Sequence, residues 1–455
     1  SQYIPQCKAL ERFELAAMMQ IANVAAILPV VTSYGPAQYS CVLEGSDTYY
    51  YDSEETIYKR LFQDLKEAVE WLKDFRDRSP SQDLLDDFKR ADKVCDGDID
   101  KWIKFANTLR LRIAMQLVKV YPDSQKEAED AVRDGVLTNS DSDVVLKSGL
   151  MLFRIEDLWN DTRANANIIS ILQGYSDPRL ERWFATNNAD IYSTDDELSP
   201  VVEKATKYLG VRQGVPMTRT EYQGYSKTSR VGIPEQGPRP VLRVAEAYFL
   251  RAEGMLRNWN MGDGTPESLY NEGIHSAWAS VLGDESGWAG TYESYINGFI
   301  NTEEGGDFDW ELFEGGFGSA PYINYRNQEY NYYIEENGKQ VGINRISVRW
   351  HDEDSPEKKL QRIITQKWIS FFPTLSSVAW TEYRRTGYPK LIPIPSDLNY
   401  SNGAIDTELQ IRRLPFTQSE YRGNTEEVNK ALGLLKGPDN GGTRLWWDVD
   451  KGNFE

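Results

Sequence analysis

Histidine is almost missing from this chain: His275 and His351 are the only two in 455 residues. That scarcity argues against a zinc centre built on imidazoles and against a histidine-dependent triad. Neither residue lies in an H-E-x-x-H spacing, so both are expected to be structural or surface groups. Cysteine is nearly as sparse. Cys7, Cys41 and Cys95 contain no C-x-x-C pair and allow at most one bridge, which gives no disulfide framework. Positive charge is also short, with 51 Lys+Arg against 70 Asp+Glu and a net charge of −19. Phosphate neutralisation needs clustered Lys and Arg, so neither nucleic acid nor an anionic lipid surface is an expected partner. Long apolar runs are scarce too. Leu15 to Val31 is uncharged but carries Gln20, Asn23 and Pro29. It is short for a span of about 20 strongly apolar residues and reads as a buried helix. The chain starts at Ser1 with no Met and no basic leader, and a targeting segment is expected to have been removed ahead of this numbering.

What is present is a soluble globular balance, 40% apolar and 27% charged, with 13 Trp, 26 Tyr and 16 Phe. Helical periodicity recurs in pairs. Residues 54–77 set Ile57, Tyr58, Leu61, Phe62, Leu65, Ala68, Val69 and Leu72 on one stripe, with Ser53 as the expected N-cap. Residues 99–120 set Trp102, Phe105, Leu109, Ile113 and Leu117 on another, stopped by Pro122, and 123–134 reads as a short partner. Residues 240–259 and 267–282 form a third pair, and 357–372 with 374–386 a fourth, split at Pro373. Small residues at Ala252, Gly273 and Ala277 would let the third pair approach closely. Such pairs cannot bury their apolar faces alone and must stack. No strict 34-residue period exists, because long segments at 135–238, 284–356 and 387–455 separate or follow the pairs. These carry few periodic runs and many aromatics. The expected fold is all-α in the main: helical hairpins at about 7–77, 99–134, 240–282 and 357–386 in a single domain over 1–455, plus a large irregular, loop-rich region with few short strands.

A set of local motifs runs through the chain in order. Tyr34-Gly35-Pro36-Ala37-Gln38-Tyr39-Ser40 follows the first helix, then Tyr51-Asp52-Ser53 and Lys101-Trp102-Ile103-Lys104-Phe105-Ala106-Asn107. Further on come Asp177-Pro178-Arg179, Glu246-Ala247-Tyr248-Phe249-Leu250-Arg251-Ala252-Glu253, Gln366-Lys367-Trp368, Glu382-Tyr383-Arg384-Arg385-Thr386-Gly387, Arg412-Arg413-Leu414-Pro415 and Trp446-Trp447-Asp448. The ordered set resembles the SusD/RagB family, in its nutrient-binding outer-membrane lipoprotein branch. Pro36 stands where that family usually has an acidic residue. Cys7 follows Ile4-Pro5-Gln6, which is not a lipobox, so the resemblance places the lipid anchor in a precursor rather than in this chain. The resemblance implies four tetratricopeptide-like hairpins cradling an irregular region. It also implies a cell-surface lipoprotein that captures glycan without catalysis, uses no cofactor, and passes its ligand to a SusC-like TonB-dependent transporter.

The residues themselves suggest where a sugar would sit. A pyranose has an apolar C–H face and a hydroxyl rim, so capture takes an exposed aromatic plate with amide or carboxylate acceptors nearby. Residues 284–333 offer Trp288, Tyr292, Trp310, Tyr322 and Tyr325 among other aromatics, interleaved with Asn297, Asn301, Asp307 and Asn324. Tyr34 and Tyr39 flank the turn after the first helix and are further candidates. Trp102, Trp368 and Trp380 fall on helical stripes and are expected in the core. Asp96-Gly97-Asp98 opens like a calcium loop, but Lys101 and Asn107 stand where an EF-hand needs Gly and Glu, so no metal site is expected and Asp98 or Asp100 reads as a helix cap. Lys104, Arg112 and Arg384-Arg385 are expected to meet carboxylates across helices. Two other functions compete. An all-helical glycoside hydrolase needs a carboxylate pair about 5–9.5 Å apart in an aromatic cleft. A helical-repeat peptide-binding scaffold needs a concave groove on the helices themselves.

Overall fold

The computed structural model describes residues 3–147, 162–186, 208–216, 218, 222, 224–227, 239–282, 292, 295–296, 334–336 and 339–455. Its helices are α1 (Ile4–Ala9), α2 (Phe13–Tyr34), α3 (Ser40–Glu44), α4 (Glu54–Asp77), α5 (Gln82–Ala91), α6 (Ile99–Gln116), α7 (Ser124–Asp134), α8 (Ala166–Gly174) and α9 (Arg179–Trp183). They continue with α10 (Val244–Leu256), α11 (Pro266–Leu282), α12 (Pro356–Ser370), α13 (Ser376–Thr386), α14 (Gln418–Gly423) and α15 (Thr425–Leu432). Strands are few and short. β1 (Val144–Leu146) pairs antiparallel with β2 (Arg239–Leu242), and β3 (Ile334–Glu336) with β4 (Lys339–Val341).

The helices begin and end for local reasons. Ser53 Oγ accepts the Thr56 N–H at 3.2 Å and starts α4, with Glu54 and Glu55 in the first turn facing the positive end of the helix dipole. Asp98 Oδ1 does the same for α6 by accepting the Lys101 N–H at 2.9 Å, so this acidic residue is a cap. Ser355 caps α12 ahead of Pro356, whose missing N–H is no loss at the first helical position. Gly387 ends α13 at φ 78°, a left-handed conformation that suits glycine. Two boundaries move: α6 stops at Gln116 and the chain runs on in turns to Pro122, and the helix expected over 240–259 is α10 over Val244–Leu256, because Arg239–Leu242 pairs as strand β2.

Packing follows the stripes. All eight stripe residues of α4 are buried. α4 lies between α2 and α6, α6 packs on α7, and α10 packs on both α11 and α12. α2 is long and apolar enough to cross a membrane, yet half of its most apolar window is buried in this fold. The α10–α11 contact shows why small residues recur there. A Cβ on Gly273 would lie 2.7 Å from the Phe249 ring, inside the distance real side chains tolerate. Gly273→Ala is therefore expected to cost about 1–3 kcal/mol through overpacking, read as a lower unfolding midpoint, while Gly135→Ala, with open space around its Cβ position, tests only the backbone term.

Several of the ordered motifs hold buried arginine–carboxylate pairs, and three of these pairs tie distant elements. Arg112 on α6 grips Glu246 on α10 with both ends of its fork, Nε to Oε1 at 2.7 Å. Arg385 on α13 grips Glu253 on α10 at 2.6 and 2.7 Å and also reaches Glu382. Glu246 and Glu253 are seven residues apart, hence on one face of α10 two turns apart. Arg412 binds Asp448 at 2.8 Å through Nε, and Arg179 binds Asp177 at 2.6 Å. Lys104 pairs with Asp141 at 2.9 Å. Arg384 departs from expectation, since its Nη1 donates to the Arg412 carbonyl at 2.7 Å and its plane covers the Trp380 ring at 3.5 Å.

Candidate functional site

Two aromatic regions emerge. The first is a platform on α11. His275 is exposed there, and the half-buried Tyr292 meets it edge to face at 5.1 Å between ring centres. Trp278 lies 5.7 Å from Tyr292 on the same helix side, and the Tyr292 hydroxyl donates to the Asn271 carbonyl at 3.0 Å. Below sits a fixed floor. Tyr295 is buried, 5.0 Å from Trp278, and its hydroxyl accepts from the Gln366 amide at 3.0 Å. Arg179, held by Asp177, is surrounded by Trp183, Trp278 and Tyr295 at 5.6 Å each. Burial would lower the Arg179 guanidinium, but Asp177 outweighs it and holds the charge. The platform is thus rigid below and partly exposed above.

Of the expected sugar plates, Tyr292 is on this platform. Trp288, Trp310, Tyr322 and Tyr325 lie outside the described residues. Tyr34 and Tyr39 sit elsewhere, at the end of α2. Tyr39 is a correction: only 4% of it is exposed, and its hydroxyl donates to Asp64 at 2.6 Å, so it has neither ring face nor hydroxyl for a ligand. Burial and the neighbouring Asp64 push that phenol well up. Tyr34 is half-buried, and its carbonyl accepts two N–H groups of Arg413 at 3.0 and 3.2 Å, which fixes the turn at Gly35.

The second region is a cavity of about 320 Å³ between α8, the α12–α13 turn and the segments around Leu391 and Gln410. Trp368, Phe372, Trp380 and Tyr383 give it aromatic walls. This corrects the expectation of a core role for two tryptophans. Trp102 is buried, 2% exposed, whereas Trp368 and Trp380 are half-buried and face the cavity. Asn165, Asn167, Gln213 and Gln410 supply the polar lining, and no Asp, Glu, Lys, Arg or His lines it among the described residues. The sequence signal for this cavity is weak because four distant segments build it.

The whole-chain comparisons bear on both regions. The family model for SusD-like proteins, described as "Susd and RagB outer membrane lipoprotein", matches residues 3–292 and 317–448. The chain belongs to the SusD-like family. Among solved structures, it is 35% identical to a chitin-binding SusD homologue from Flavobacterium johnsoniae, with a TM-score of 0.80, covering 97% of this chain and 82% of that one. A SusD homologue from Bacteroides vulgatus is 30% identical at a TM-score of 0.79, covering 97% and 81%. A SusD-like protein from Bacteroides thetaiotaomicron is 30% identical at 0.76, covering 96% and 81%. No curated protein matches the chain. The helix pairs therefore form the tetratricopeptide-like frame of SusD-like proteins, and the glycan-binding, outer-membrane character attaches to this chain at the level of the family.

Proposed function

We propose that this SusD-like protein captures an N-acetylglucosamine-containing glycan at the cell surface, without cleaving it, and delivers it to a SusC-like TonB-dependent transporter. The observation that carries this reading is the 35% identity, over 97% of the chain, to a chitin-binding member of the family. The plates assigned to the ligand are Trp288, Tyr292, Trp310, Tyr322 and Tyr325. Tyr292 supports the assignment, because it is partly exposed on a rigid aromatic footing at the edge of the segment that carries the other four. The reading includes a lipid anchor that holds the protein at the outer membrane.

The non-catalytic part has its own support. Glycoside cleavage needs one carboxyl held protonated beside a free carboxylate in a cleft. Among the carboxylates of the ordered motifs, Asp177, Glu246, Glu253, Glu382 and Asp448 are bound to arginines, and Asp52 accepts the Ser40 N–H at 2.7 Å. Glu54 is held up near neutral pH, at about 7, but it is 6% exposed, accepts the Trp446 N–H, and does not line the cavity.

The test is a calorimetric titration with chito-oligosaccharides. Trp288→Ala and Trp310→Ala are each expected to weaken binding at least about tenfold, the usual cost of truncating an aromatic anchor. Full affinity in both variants would remove the assignment of these plates. Absence of binding to any neutral glycan by the unmodified protein would remove the capture reading.

A further inference from the structure

We infer that the cavity between α8, α12 and α13 is a second binding site for a single neutral pyranose ring, separate from the plates of residues 284–333. The choice of ligand rests on the glycan reading; the site rests on its own geometry. Its volume of about 320 Å³ is at the small end of ligand pockets, enough for one ring and too little for a buried chain. Its walls suit the two sides of a sugar. Trp368, Phe372 and Trp380 offer apolar surface to C–H faces, and four amide side chains offer donors and acceptors to hydroxyls or an acetamido group. The lining carries no acidic or basic side chain among the described residues, which favours a neutral ligand. Tyr383 stays neutral as well, its phenol pushed up to about 12 by burial and its hydroxyl donating to the Glu408 carbonyl at 2.9 Å.

Two details mark a site built for an occupant rather than a packing gap. The walls are fixed in advance. The Trp380 Nε1–H donates to the Ile411 carbonyl at 3.0 Å and one ring face is covered by Arg384, while Asn167 Oδ1 accepts the Ile392 N–H at 2.7 Å. Against that order, the Gln410 amide nitrogen is buried in the wall without a hydrogen-bond partner. It sits on backbone at φ 57°, held by a bond from its own N–H to the Asp406 carbonyl at 2.9 Å. A buried donor left unpaired is costly, and a ligand hydroxyl or carbonyl oxygen would satisfy it. Ser376 and Gln213 are exposed at the mouth, so a ring can enter.

The experiment titrates N-acetylglucosamine and diacetylchitobiose into the protein, into the Trp288→Ala/Trp310→Ala double variant, and into that double variant carrying Ser376→Trp or Gln410→Gly. Ser376→Trp blocks the mouth from an exposed position. Gln410→Gly removes the orphan amide while keeping the left-handed backbone. The double variant is expected to keep one class of weak binding, abolished by Ser376→Trp and weakened about five- to tenfold by Gln410→Gly. Residual binding untouched by both substitutions would overturn the site. A double variant that binds nothing would overturn the second site and leave the capture reading standing. Binding unchanged in the double variant but lost with Ser376→Trp would leave the cavity standing and overturn the plates. No binding by the unmodified protein would overturn both.

Discussion

Arg385→Met is expected to destabilise the protein by about 3–5 kcal/mol, the range found when one partner of a buried ion pair is removed. Arg385 is fully buried on α13 and donates to Glu253 on α10 and to Glu382 on its own helix. Arg257 Nη2 reaches Glu253 at 2.8 Å, and Lys367 on α12 lies 3.2 Å from Glu382. The cluster thus joins three of the packed helices. Burial alone would raise the Glu253 carboxyl, but Arg385 and Arg257 outweigh it and hold it down at about 2. A folded value below the ordinary 4.5 means that this stability is present above about pH 4.5 and is lost as pH falls towards 2. Removing Arg385 leaves two carboxylates buried and under-compensated, so Glu253 should then rise and the acid sensitivity should move to higher pH. Denaturant midpoints at pH 4 and 7 measure both effects. The exposed Lys59–Glu55 pair is the internal control, and Lys59→Ala should leave the denaturant midpoint nearly unchanged, because solvent screens the pair. An Arg385→Met loss no larger than the control's would contradict the role given to the cluster.

Glu54→Gln is expected to stabilise the protein at pH 8 by up to roughly 3 kcal/mol. Glu54 opens α4, its Oε2 accepts the Trp446 N–H at 2.9 Å, and its Oε1 is buried without a partner. Burial raises its carboxyl to about 7, with the Trp446 N–H and then Arg384 pulling the other way. The sign follows from that direction. The folded state holds the proton more tightly than the unfolded chain, so the group contributes most below about pH 4.5 and its contribution is lost as pH rises towards 7. Glutamine keeps the acceptor for Trp446 and removes the titration. Melting temperatures of the variant should therefore exceed those of the unmodified protein at pH 8 and converge with them near pH 5. A pH profile identical in the two would show that Glu54 is not the buried acid described.

Much of the helical frame was legible in the sequence because its helices are amphipathic. The stripe of α4 and the cap at Ser53 could be read directly, and so could the close approach at Gly273. α8 could not. Eight of its nine residues, Ala166–Leu172 and Gly174, are buried, so it has no polar face and no stripe to find. α5 failed in the opposite way, being short and polar with only Phe88 buried. Lys104, Arg112 and Arg385 were legible as carboxylate partners in kind, while Arg384 instead meets a backbone carbonyl and a Trp ring; which carboxylate each would meet was not legible, since Arg112 and Glu246 are 134 residues apart. The cavity was hidden for a related reason. Periodicity shows that Trp368 and Trp380 face inward, but not whether a neighbour fills the space beside them.

Capture without cleavage has a direct test. The most direct measurement incubates the purified protein with chito-oligosaccharides, following tryptophan fluorescence and new reducing ends in the same samples. Capture without cleavage gives a saturable fluorescence change with no reducing ends above the protein-free control. Reducing ends that accumulate in proportion to protein would contradict it.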